Sequence, residues 1–270
     1  MIYWGPTVGT WRKARVSITD SEDGSTIGRL LANVRVDAPV RQVVVGAFWT
    51  AVVLDTDPPR CGLASTLRAE THDSGPPVPE AGRLLGYSAR ELAGCLRSDS
   101  VLKASIGMAA LNALLEVDQA ECVEINAEEV ILERGAGRRI AIVGHFPFVE
   151  RVRRAASECW VLEMRPRPGD LPAERADEVL PRADVIALTG TSLINHTFDD
   201  LIELCRPDAY VILLGGSTPL SPVMFDRRGG VDAVAGTLVV DVAAAIRTIE
   251  QGATFPQIEG KRLLAMMREV

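Results

Sequence analysis

The sequence predicts an α/β chain, with a Rossmann-like parallel sheet in its C-terminal half and a smaller α+β domain before it. Three observations carry that expectation. From about Arg138 onward, short apolar runs alternate with helical segments, as a parallel sheet covered on both faces requires. Several of those runs end in glycine- or hydroxyl-rich turns, where open α/β sheets bind their ligands. Ahead of Arg138 the order differs, with strands first and helices after, which is an α+β pattern. The texture changes across Glu133-Arg134-Gly135-Ala136-Gly137-Arg138-Arg139, which sets the expected domains at 1–134 and 135–270.

The elements of the first half follow in order. Arg15 to Thr19 alternates as a strand would. Arg41 to Leu54 is β-rich, with Gly46 as a bend or bulge. Glu70 to Arg83 is polar and proline-containing, too long for a plain connection, and placed to drape over a site. Ser88 caps a helix running to about Leu96, with Glu91 completing a capping box. An alanine-rich helix follows from Val101 to about Leu115, with one face through Ala104, Gly107, Met108 and Leu111.

In the second half, Ile140 to Val143 is a buried strand that leads through Gly144-His145-Phe146-Pro147 into a helix from about Phe148 to Ala156. Trp160 to Met164 is the next strand. Ala183 to Leu188 is a third, followed by Thr189-Gly190-Thr191-Ser192 and a helix near Thr197 to Cys205. Tyr210 to Leu214 ends in Gly215-Gly216-Ser217-Thr218-Pro219. Thr237 to Val240 precedes a helix from Val242 to Glu250.

Composition narrows the function. The chain has 270 residues, 47% of them hydrophobic and 24% charged, enough to bury a core and without the signature of disorder. A net charge of -7 argues against a nucleic-acid or anionic-membrane partner, since both need a clustered basic surface. Arg151, Arg153 and Arg154 read as the solvated face of a helix. The opening residues lack a signal peptide's basic start and apolar run, and no apolar stretch is long enough to span a membrane. The five cysteines are scattered without a CxxC pair, so neither a zinc knuckle nor a disulfide framework is expected. Reduced thiols and a cytoplasmic location follow as expectations.

Three loops are the candidate ligand sites. Gly144-His145-Phe146-Pro147 is not GxGxxG, so no nicotinamide or flavin dinucleotide is expected, although Glu163 stands near the position of a ribose-binding acid. Its carboxylate could equally be satisfied by a neighbouring loop. Thr191, Ser192, Asn195 and Thr197 are dense in hydroxyl and amide groups, which also serve ordinary capping. Gly215, Gly216, Ser217 and Thr218 can bring backbone N–H groups to an anion or form a bare turn. His145 is a candidate metal ligand or acid–base group, and His72 with Glu70 and Asp73 is a loose ligand set.

These residues resemble a known family. Val143 to Pro147, Glu163 with Pro166, and Gly169-Asp170 form a first group of matching motifs. Ala183-Asp184 through Thr189-Gly190-Thr191, Asn195 and Thr197 form a second, and Gly216-Ser217-Thr218-Pro219-Leu220 a third. Together they look like the putative heavy-metal chelation family. Cys61-Gly62-Leu63-Ala64, Ala81-Gly82 before Gly86, Glu91-Leu92-Ala93 and Ile106 to Ala113 agree, so the match runs from about Val43 to Val240. The resemblance implies an enolase N-terminal-like domain before the Rossmann-like one, and a site in the cleft between them.

Metal or metal-chelate handling is therefore the leading expectation, with a divalent or heavy metal ion involved. Glu70, His72, His145 and Glu163 would be ligands or acid–base groups. Ser192, Asn195, Ser217 and Thr218 would hold the organic part of a chelate, with Asn112 beside them. The alternatives are an enzyme acting on a small anionic or nucleotide-like substrate, and a non-catalytic binding or sensor protein. The expected partner is a small molecule or metal chelate, with a homo-oligomer left open.

Overall fold

A computed structural model describes residues 24–68, 75–226 and 230–268. The expected strand at Arg15 to Thr19, and Glu70, His72 and Asp73, lie outside those residues. The first part builds a small antiparallel sheet. Helix α1 (Thr26–Asn33) is capped by Ser25, whose hydroxyl accepts from the Gly28 N–H at 3.0 Å. The β-rich run divides at Gly46 into β1 (Val40–Val45) and β2 (Trp49–Leu54), and β3 (Arg60–Ser65) completes the order β1-β2-β3.

Every residue of β2 is buried, because the sheet is covered on both faces. Val52 and Leu54 join the main core, whereas Trp49, Ala51 and Val53 belong to a separate cluster. Two helices close the first face. The capping box of Ser88 and Glu91 opens α2 (Ala89–Gly94) as expected, and α3 is Val101–Leu114. All residues from Ala104 to Leu111 are buried, so α3 is enclosed rather than amphipathic. A β-carbon at Gly62 would meet the α3 backbone at Ala109 and Ala113, so β3 and α3 touch backbone to backbone.

The second part begins with α4 (Ala127–Gly135), capped by Asn126, which packs on the large sheet through Ala127, Val130 and Ile131. This helix crosses residues 134 and 135. The sheet's strands and helices then follow: β4 (Arg139–Val143), α5 (Val149–Ala155), β5 (Glu158–Glu163), β6 (Leu171–Pro172), α6 (Ala176–Val179) and β7 (Val185–Thr189). After them come α7 (Thr191–Ile194), α8 (Phe198–Glu203), β8 (Tyr210–Leu214), β9 (Ala233–Val239), α9 (Val242–Glu250) and β10 (Lys261–Met267).

The strand order is β10-β9-β8-β7-β4-β5-β6, parallel from β6 to β9. This is a doubly wound sheet whose order reverses between β4 and β7, the place where such folds open a crevice. Two details correct the sequence reading. The strand expected at Thr237 begins at Ala233, and β10, which the pattern did not reveal, closes the edge antiparallel to β9. Helix α9 does not cover the large sheet alone. Its Ala245, Ile246 and Ile249 pack against Trp49, Ala51 and Val53 of the small sheet. Among the described residues, no helix is long and apolar enough to cross a membrane.

Candidate functional site

The carboxyl end of β4 delivers the first loop. Ile140, Ala141 and Ile142 are fully buried, and Gly144 turns the chain with φ 99°, a conformation that favours glycine. The turn aims the His145 backbone N–H at Glu163, which accepts it through Oε2 at 2.9 Å. The other Glu163 oxygen accepts the Met164 N–H at 2.8 Å. Glu163 thus ties the ends of β4 and β5 together.

The His145 ring has its own partner. Its Nδ1 lies 2.8 Å from Asp170 Oδ2, and the Asp170 side chain is 0% exposed. Asp170 also accepts from Arg153 Nη2 at 3.0 Å and from the Arg167 N–H at 3.1 Å. Burial pushes the Asp170 carboxyl up, but the donors from His145, Arg167 and Arg153 outweigh it and hold it below the usual aspartate range. An ionised carboxylate only accepts, so His145 donates to it through Nδ1.

In the second loop, Thr189 and Thr191 hydroxyls lie 3.0 Å apart, and Ser192 Oγ donates to the Thr189 carbonyl at 2.7 Å. Asn195 Oδ1 accepts from Thr197 Oγ1 at 2.8 Å. Much of this polar inventory is therefore used locally. Gly144, His145, Glu163, Thr191, Ser192 and Asn195 nevertheless line one cavity of about 210 Å³ at the reversal point.

The third loop serves a different space. Gly215 has φ 114°, whereas Gly216 has no such constraint. A β-carbon on Gly216 would instead lie 2.6 Å from Phe255 and 2.7 Å from Trp49. Ser217 Oγ accepts from the Ser65 N–H at 2.8 Å, joining this loop to the small sheet. Asn112 Nδ2 donates to the carbonyls of Leu63 at 2.9 Å and Ser217 at 3.3 Å. Asn112 and Thr218 line neither cavity.

Gly215, Gly216 and Ser217 line a larger cavity of about 730 Å³, which Thr191 and Phe146 share with the smaller one. Sequence reasoning missed its aromatic wall. Trp49 and Phe255 sit 4.9 Å apart between centroids, and Phe146 and Phe148 stack at 5.1 Å with 7° between planes. The charged groups of the wall are Glu128, Arg151 and Lys261. Arg151 Nε lies 2.5 Å from Glu128 Oε1, whose side chain is 8% exposed. Lys261 stands 5.1 Å over Phe255, and burial lowers its pKa. Thr237 Oγ1 is buried without a hydrogen-bond partner among the described residues.

The donors among the described residues do not form a site for a bare ion. Among the described residues, no group of three or more His, Cys, Asp or Glu side chains could hold a metal. Burial pushes the Cys61 and Cys205 thiols up to about 12 and Cys159 to about 11, which keeps these three protonated at neutral pH.

Two family profiles match the chain, both described as "Putative heavy-metal chelation", over residues 126–268 and 27–115. A protein of unknown function from the first of these families (DUF364), from Desulfitobacterium hafniense, is 27% identical. The superposition covers 90% of this chain and 96% of that one, with a TM-score of 0.76. A second member of unknown function, from Pyrococcus horikoshii, shares the fold with TM-score 0.78 at 19% identity, over 90% of this chain and all of its own. An uncharacterized protein of Methanocaldococcus jannaschii is 27% identical over 155 residues, 55% of this chain. The match spans only 60% of that relative's length.

Proposed function

We propose, from the premise that this chain belongs to the putative heavy-metal chelation family, that it takes up its metal as cargo already wrapped in an organic chelator. The observation that carries this reading is the 730 Å³ cavity between the two sheets. Its size lies within the range of small-molecule sites, roughly 300–1,000 Å³. Two aromatic pairs supply faces for an organic body, and Arg151 and Lys261, which keep further N–H groups beyond their bonds to Glu128 and to the Ile258 carbonyl, supply polar contacts for its oxygen atoms. Among the described residues no donor cluster could hold a naked ion, whereas a chelator would satisfy most of the ion's coordination itself.

The test is calorimetric titration of the untagged chain with ferric citrate, ferric hydroxamate and catecholate complexes, and copper(II) nitrilotriacetate, beside the buffered ions alone. At least one chelate binds one-to-one. Leu263→Trp, which fills the cavity from its partly exposed edge strand, weakens that binding by about tenfold or more. Tight stoichiometric binding of a bare ion, or equal chelate affinity in Leu263→Trp, would overturn the proposal.

A further inference from the structure

The wall of the larger cavity carries a more specific inference, which rests on the chelate reading above. We infer that the chelator is an aromatic anion of the catecholate or salicylate class, with its ring on the aromatic wall and its charged oxygen atoms on Arg151 and Lys261.

Three observations converge on it. The chain has only four Trp and six Phe, and one Trp and three of the Phe line this cavity. Aliphatic side chains would make an apolar wall equally well; ring faces concentrated at one place suit a ligand that is itself a ring.

Second, each aromatic pair has a cation beside it. Lys261 Nζ stands 5.1 Å over Phe255, which packs on Trp49 at 4.9 Å between centroids. Arg151 follows Phe148 by three positions at the start of α5, a spacing that puts ring and guanidinium on one side of the helix. Phe148 in turn stacks on Phe146. Lys261 donates to the Ile258 carbonyl at 2.6 Å, and Arg151 pairs through Nε with Glu128, so both keep N–H groups for a ligand oxygen.

Third, the charge of the wall is positive. Among the described residues that line it, Glu128, Arg151 and Lys261 are the charged ones, two cations against one carboxylate in a chain of net charge -7. Glu128 is already matched by Arg151, which leaves the charge of Lys261 for a ligand. A positive pocket in an acidic molecule draws anions. Citrate and hydroxamate chelators lack the ring, and an uncharged arene lacks the anion; an aromatic anion answers both halves of the wall.

The experiment uses metal-free ligands, so that affinity reports the organic body alone. Calorimetry on the untagged chain compares 2,3-dihydroxybenzoate with cyclohexanecarboxylate, which has the charge without the aromatic ring. The second comparison is with catechol, which at neutral pH has the ring without the charge. The dihydroxybenzoate binds about fivefold or more tightly than either. In Phe148→Leu/Phe255→Leu its preference over cyclohexanecarboxylate shrinks to about twofold or less, and in Arg151→Gln/Lys261→Met its preference over catechol does. Each preference is a ratio within one variant, so a general loss of folded protein leaves it unchanged. Equal affinity for the three ligands, or preferences that survive both double variants, sinks the inference. If ferric citrate or a ferric hydroxamate binds with sensitivity to Leu263→Trp while no aromatic anion does, the ligand class is wrong and the chelate reading stands. If aromatic anions bind with these preferences and no metal complex binds, the ligand class stands and the chelate reading falls.

Discussion

Gly216 illustrates what a single residue can and cannot reveal. Its place in Gly215-Gly216-Ser217 marks a turn, where glycine serves either positive φ or close backbone approach. Positive φ belongs to Gly215 instead, and Gly216 is small because Trp49 and Phe255 lean on it. Gly216→Val therefore forces two aromatic rings to move, and overpacking of this kind costs about 1–3 kcal/mol. Urea denaturation should show that loss, and the displaced rings should also reshape the larger cavity. A variant as stable as the parent would mean the aromatic pair yields freely. Similar logic separates the legible from the hidden around His145. Its loop and Glu163 stood out in the sequence, because strand ends followed by turns are where such sheets bind. Asp170 appeared only within a family motif, and its role depends on a return of the chain that no local pattern encodes.

Elements were most legible where burial and capping were both strong. The strand Tyr210–Leu214 and the helix Val242–Glu250 have the bounds their patterns indicate. Helix α4 has no counterpart in the sequence reading, although Asn126 caps it and Glu128, Glu129 and Arg134 suit its dipole, because the following Gly/Arg stretch reads as a linker. Strand β10 was hidden for another reason: Lys261-Arg262-Leu263-Leu264-Ala265-Met266-Met267 has little β-branched or aromatic content, and its pairing with β9 is tertiary. At the opposite ends of β4 and β7, Asp184 joins the elements. It accepts from Arg139 Nη2 at 2.6 Å, the Arg139 N–H at 3.1 Å and Arg206 Nη2 at 3.0 Å. The Arg139 side chain leads the groups that hold its carboxyl well below the usual aspartate range, against the opposing effect of burial. A depressed folded pKa gives stability that is present above the unfolded value, near 3.8, and lost as pH falls through the folded value. Asp184→Asn should thus be less stable than the parent at pH 7, with the difference shrinking as pH drops below the unfolded value. Denaturant melts across that range would show it, and a difference that holds constant into strong acid would sink the argument.

At the scale of the whole molecule, the sheets share their support. One apolar cluster runs from Leu30, Leu92 and Leu111 in the first part to Ile186, Leu213 and Leu264 in the second. Helix α9, reached after β9 of the large sheet, covers the small sheet's other face. Thr26 on α1 reaches Asp199 on α8, with its N–H 3.1 Å from Oδ2. The sequence reading places a domain boundary at the Gly/Arg stretch, because such stretches are what linkers contain; the contacts across it join residues more than a hundred positions apart and leave no local trace. The two sheets should accordingly unfold in one transition, with far-ultraviolet dichroism and tryptophan fluorescence coinciding along a urea gradient. Ser217 supplies the sharper test. Its hydroxyl accepts the Ser65 N–H at 2.8 Å and donates to Ser65 Oγ at 3.1 Å, so it bonds the glycine loop to β3. Ser217→Ala removes both bonds and leaves a part-buried N–H without its acceptor, a loss of about 1 kcal/mol. In a molecule held as one cooperative unit, that loss moves the whole transition to lower urea and leaves the two probes superimposed. If Ser217→Ala instead splits the curve, with one probe melting ahead of the other, the sheets are separable units and the cavity between them can open by their parting.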